Sequence, residues 1–156
     1  MQTQQPAAEL PPFEKFPPLS LLTLVLMSLA SLGIYTWWWM YSRSLILNSM
    51  LPPEQCIDSK FMHLCIGGLA VVLPCSIAAE LLPENLALVN TASALGLALN
   101  LMVLFWVFLF RRGISYLLEK NGSIYQLGIF WTFLFQVFYL QIKINLVCEH
   151  RQTGIM

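Results

Sequence analysis

The sequence predicts an all-α membrane protein with four transmembrane helices in a compact bundle. Three observations carry that expectation. Of 156 residues, 58% are hydrophobic and 10% are charged, against about 45–50% and about 25% in soluble domains. Mean hydropathy is +0.69. The apolar residues gather in four blocks, each long enough for a hydrocarbon core of about 30 Å. Such a chain is not an ordinary cytosolic enzyme, a disordered segment, a secreted disulfide scaffold or a basic nucleic-acid binder.

Residues 1–18 form a polar tail carrying Pro6, Pro11, Pro12, Pro17 and Pro18, whose rings remove backbone donors and block a helix. The tail lacks the pattern of a signal peptide, so the first helix is expected to be retained. The first span is read over 19–41, about 34 Å of helix at 1.5 Å per residue. Pro52-Pro53 stops any continuation, and Glu54, Asp58 and Lys60 keep the next segment in water. The second span covers 61–79 and contains Gly67-Gly68 and Pro74, where a kink is expected. Glu80, Pro83 and Glu84 mark a tight hairpin. The third span runs over 86–110 up to Arg111-Arg112, and an amphipathic stretch from Ile114 leads to a helix stop at Asn121-Gly122. The fourth span covers 124–142. A polar tail, 143–156, follows.

Four spans place both chain ends on one side of the membrane. The loops after the first and third spans then hold Arg43, Lys60, Arg111, Arg112 and Lys120, against Lys15, Lys143 and Arg151 on the other side. Because Lys and Arg near span ends favour the cytoplasm, the expectation is cytoplasmic loops with both termini outside.

Aromatic residues cluster where the first span ends. Trp37, Trp38 and Trp39 point about 100° apart on a helix and so ring it, with Tyr41 and Arg43 just beyond. The simplest reading is an interfacial collar with Arg43 in water; the functional one is an anchor for a lipid headgroup or a partner helix. Phe105, Trp106, Phe108 and Phe110 repeat that chemistry before Arg111. Ala92, Gly96 and Asn100 recur every fourth residue and share a helix face on which a second helix can pack closely. Gln126, Gln136 and Gln141 form a broad polar sector in the fourth span. Glu80 lies at the edge of an apolar block and is the candidate for ion coupling, if it sits within the bilayer instead of the hairpin.

No catalytic constellation is present: no nucleophile elbow, paired-histidine zinc motif, phosphate loop or dinucleotide fingerprint. Cys56, Cys65, Cys75 and Cys148 form no paired-thiol pattern, and His63 reads as interfacial packing. No cofactor, metal or enzymatic activity is expected, and a net charge of zero offers nothing to nucleic acid. The expected partners are the lipid bilayer and a membrane protein or a second copy.

Gly33-Ile34-Tyr35, Trp39, Tyr41 and the basic Arg43 resemble the signature G-I-Y-x-x-[YW]-W-x-Y of a family of small bacterial membrane proteins, with Trp38 where tyrosine is more usual. Tyr139-Leu140-Gln141 with Ile144-Asn145 resembles a second stretch common near their C-termini. The resemblance implies a bacterial inner-membrane location and brings no activity or catalytic residues with it. The functional expectation is therefore an accessory, assembly or interaction subunit of a membrane complex. The alternatives are a small transporter or channel subunit acting as a homo-oligomer, and a membrane-embedded enzyme acting on lipid.

Overall fold

A computed structural model describes Phe16, residues 19–120 and residues 127–152, with the side chains of Leu134 and 147–152 left aside. The described residues are helical and contain no strand: α1 (Leu21–Ala30), α2 (Ile34–Asn48), a 3₁₀ turn at Pro53–Gln55, α3 (Ser59–Leu81), α4 (Leu86–Lys120) and α5 (Ile129–Gln152). The expected helix stop at Asn121-Gly122 and Gln126 lie outside the described residues.

Among the described residues, two helices are long and apolar enough to cross a membrane. α3 begins under an Asp58 cap, whose carboxylate accepts from Lys60 N–H at 2.8 Å, and continues through Pro74 to Leu81. A turn over 82–85 then reverses the chain, and the Asn85 side chain caps α4 by accepting from Leu88 N–H at 3.1 Å. α3 and α4 form an antiparallel hairpin whose level is set by Gly68 against Leu99 and by Phe61 edge-on to Phe105. α4 is 35 residues long, about 52 Å at 1.5 Å per residue, so it outruns both α3 and a hydrocarbon core.

The block 19–41 is divided, where the sequence had suggested one helix. Leu32 and Gly33 take left-handed conformations with φ of 51° and 90°. Gly33 N–H donates to the Ser28 carbonyl at 2.7 Å, the long-range closure that terminates a helix in this way. Ser31 Oγ accepts from Tyr35 N–H at 2.9 Å to start α2, and Thr36 Oγ1 donates to Ser28 Oγ at 2.9 Å across the turn. The chain folds back here. Collinear helices would leave Leu19 and Trp39 about 30 Å apart, yet both bond one amide group, that of Gln141.

α5 bends as sharply, at Gln136 (φ 39°, ψ −115°). Tyr139 Oη accepts from Gly128 N–H at 3.0 Å, although a straight helix would hold their backbones about 16 Å apart. The fourth apolar block is thus a pair of arms, 129–135 and 137–152, meeting at Gln136.

These folded-back pieces pack around the distal half of α4 as a head. Its core includes Leu24, Trp39, Leu47, Trp106, Phe110 and Leu140. At Gly113 the end of α2 and the turn after it come close to α4: a Cβ there would stand 2.9 Å from Leu47 Cδ2 and from Leu51 Cδ1. Below the head the α3–α4 hairpin is largely uncovered, with 6% of the most apolar stretch of α3 buried and 22% of that of α4.

Candidate functional site

The most connected polar group in the head is the Gln141 side chain, fully buried on the second arm of α5. Its Oε1 accepts from Trp39 Nε1 at 3.0 Å, and its Nε2 donates to Asn145 Oδ1 at 2.6 Å and to the Leu19 carbonyl at 3.3 Å. Asn145 Nδ2 donates to the same carbonyl at 2.8 Å. Placing Gln and Asn four apart brings both amides to one helix face. There they hold the segment entering α1 and the indole of α2, so three segments are tied at one point. A buried amide without these partners would be strongly destabilising.

A second indole does the same job nearby. Trp106 on α4 donates to Ser44 Oγ on α2 at 3.0 Å, both residues being buried. Arg111 donates from Nε at 3.1 Å, and from Nη2, to the Leu127 carbonyl, fixing the chain as it enters α5. Asn48 closes the loop after α2, its Nδ2 donating to Ile57 O at 2.7 Å and its Oδ1 accepting from Ile57 N–H at 2.8 Å.

The aromatic group expected as a collar is distributed around α2. Trp39 is buried, Trp37 is half-buried and Trp38 is 59% exposed. Tyr41 is half-buried, and its hydroxyl lies 3.3 Å from His63 Nε2. His63 Nδ1 is 2.7 Å from the Ser59 carbonyl; a carbonyl only accepts, so Nδ1 donates to it. Arg43, expected in water, is instead buried at 5% exposure, its guanidinium carbon 5.9 Å from the ring centroids of both Phe16 and Trp39. The fold-back at Gly33 causes this, because it turns the Arg43 face of α2 into the head.

The helix-contact candidates do not meet another helix of this chain as a group. Ala92 is buried, but a Cβ on Gly96 would touch nothing within 4 Å, and exposed Asn100 donates to its own helix at the Gly96 carbonyl, 2.8 Å away. Glu80 is exposed in the last turn of α3. Asn100 lies fourteen residues into α4, about 21 Å along the hairpin from that end, so the two do not converge. Among the described residues, no group of three or more His, Cys, Asp or Glu side chains could hold a metal.

Sequence reading missed Ser44, Asn48 and Gly113. Nothing in their local pattern marks them, since each acts on a segment brought near only by the fold-back. For Gln141 and Asn145 the available signal was two amides four residues apart, on one face of an apolar helix. Trp39 bonds Gln141 directly across 102 residues of sequence. No protein-family model, curated protein or solved structure matches this chain.

Proposed function

We propose that this chain is an integral membrane protein that crosses the bilayer with α3 and α4 and serves as an interaction subunit. The observation that carries this reading is the open face of α4 at Gly96 and Asn100. Lipid-facing surfaces favour large apolar side chains, whereas small residues and an amide on an apolar helix favour a close neighbouring helix. Gly96 has that neighbour's space in front of it, and none of the described residues fills it.

The remaining two apolar blocks enter the membrane region without crossing it. α1 has 10 residues, about 15 Å, half a hydrocarbon core, and α2 returns beside it. The first arm of α5 is shorter still. Exposed Leu22, Leu29, Phe130 and Phe133 suit these elements to the acyl boundary, where amphipathic and aromatic segments settle. This differs from a four-span bundle, and it alters the side on which Leu19 and the end of α5 lie. Arg43, Lys60, Arg111, Arg112, Lys120 and Lys143 then all belong to the head end, while the 82–85 hairpin holds no basic residue, contains Glu84 and has Glu80 just before it. The bias toward positive residues inside puts the head, with Leu19 and the end of α5, in the cytoplasm; α3 and α4 keep the orientation expected from four spans, and Leu19 and the end of α5 change sides. The family resemblance adds a bacterial inner membrane to the proposal.

The test is gentle solubilisation of the tagged chain at native expression level, with wild type and Gly96→Leu compared. A stoichiometric membrane-protein partner or second copy, lost or reduced in Gly96→Leu at unchanged abundance, supports the reading. Recovery as a monomer, or a partner unaffected by Gly96→Leu, overturns it. A homo-oligomer insensitive to Gly96 would move weight to the transporter alternative, with Glu80 the first residue to replace.

A further inference from the structure

Between α1 and the two arms of α5 lies an open groove of about 500 Å³, within the about 300–1,000 Å³ typical of small-molecule sites. Leu21 and Val25 form one wall, and Trp131 and Phe135, stacked with centroids 5.7 Å apart, form the other. Lys143 is the sole charge among its described lining residues. The groove has direction. Along the second arm the lining runs from Phe138 and Tyr139, next to the bend and Phe135, to Lys143 at the far end. One end therefore offers an ammonium, and the other only hydrocarbon and rings.

We propose that this groove binds one acyl chain of an anionic phospholipid, with the lipid phosphate against Lys143. The proposal rests on the membrane reading above. Three observations favour this occupant over a peptide or a second helix. The polarity runs from cation to hydrocarbon, as an amphiphile requires. The cation matches an anionic headgroup: Lys143 Nζ lies 5.8 Å from the Tyr139 ring centroid, and an ammonium has three N–H donors, so a phosphate can join its existing contacts. The groove also exists because α5 bends at Gln136, a non-glycine residue held at φ 39°, and such strained residues concentrate at ligand clamps.

The full chain, purified in neutral detergent, is titrated with short-chain phosphatidylglycerol and with short-chain phosphatidylcholine, and binding is read from the shift in melting temperature. Phosphatidylglycerol is expected to bind about fivefold tighter, the worth of one lysine at an anionic surface. Lys143→Gln should remove that preference while leaving the weaker phosphatidylcholine shift. Val25→Trp, which fills the groove, should remove both shifts. Should Val25→Trp fail to fold, phosphatidylglycerol with brominated chains serves instead: the fluorescence it quenches should fall in Trp131→Phe. Equal affinity for the two lipids, an unchanged preference in Lys143→Gln, or quenching indifferent to Trp131 overturns the proposal. A dimer disrupted by Val25→Trp, with no lipid shift in wild type, would put a second copy in the groove and also overturn it. Resistance to alkaline extraction reports membrane integration separately, so this proposal can fail while that reading stands.

Discussion

Trp39 on α2 and Gln141 on α5 share a buried hydrogen bond of 3.0 Å across 102 residues of sequence. The Gln141 amide also secures Leu19 and Asn145, so removing it takes the partner from the Trp39 indole N–H and from Asn145 Oδ1, while the Leu19 carbonyl keeps its bond from Asn145 Nδ2. Gln141→Leu is expected to lower stability by about 1–3 kcal/mol, the cost of leaving buried polar groups unsatisfied. Trp39→Phe deletes one of those groups outright. The double variant should therefore lose less than the sum of the singles, by about 0.5–3 kcal/mol, measured by denaturation in mild detergent. Strict additivity would deny the coupling.

The three consecutive tryptophans should differ sharply. Trp39→Ala empties a core position and is expected to cost about 3–5 kcal/mol. Trp38→Ala, at a position 59% exposed, should leave the melting temperature nearly unchanged. Equal losses at Trp38 and Trp39 would contradict the placement of α2.

Two glycines on α4 should respond in opposite directions. At Gly113 a new Cβ would press on Leu47 and Leu51 at 2.9 Å. Both leucines are buried and have little room to retreat, so Gly113→Ala should cost about 1–3 kcal/mol. Gly96 faces open space, and Gly96→Ala should stabilise the isolated chain by up to about 1 kcal/mol through helix propensity. Melting curves of the two variants, with oligomeric mass recorded, give both answers.

Much of this architecture was legible in the sequence, for identifiable reasons. α3 and α4 stood out because their apolar runs end in water-seeking residues, at Asp58 and Lys60 and at Glu80, Pro83 and Glu84. The division of 19–41 was not legible. Hydropathy reports how much chain is apolar, not whether it doubles back, and the turn rests on Leu32 at φ 51°, a conformation no leucine advertises. Gln136 was noted as a polar residue in a helix, yet the bend it forms was not foreseen. The burial of Arg43 followed from the first of these. Once α2 folds back, a residue expected beyond the membrane face is carried into the head beside Phe16 and Trp39.

Asn48 staples the segment from residue 49 to Ile57, and within that loop Cys56 Sγ faces the carbonyls of Asn48, Leu51 and Pro52 at 3.4–3.7 Å. Asn48→Ala removes both bonds to Ile57, each worth about 0.5–1.5 kcal/mol net. Faster reaction of the Cys56 thiol with a maleimide is expected, along with faster amide exchange over 49–57. An unchanged Cys56 rate would show that the loop holds its form without Asn48.

The central claim is that 19–41 folds back instead of crossing, and sidedness tests it most directly. With the native cysteines replaced, single cysteines at Ser20, Gln55 and Glu84 can be labelled by a membrane-impermeant maleimide in sealed vesicles of known orientation. Two crossing helices with a folded-back first block put positions 20 and 55 on one side and 84 on the other. A block that crosses puts 20 and 55 on opposite faces, and that labelling pattern would contradict the fold-back.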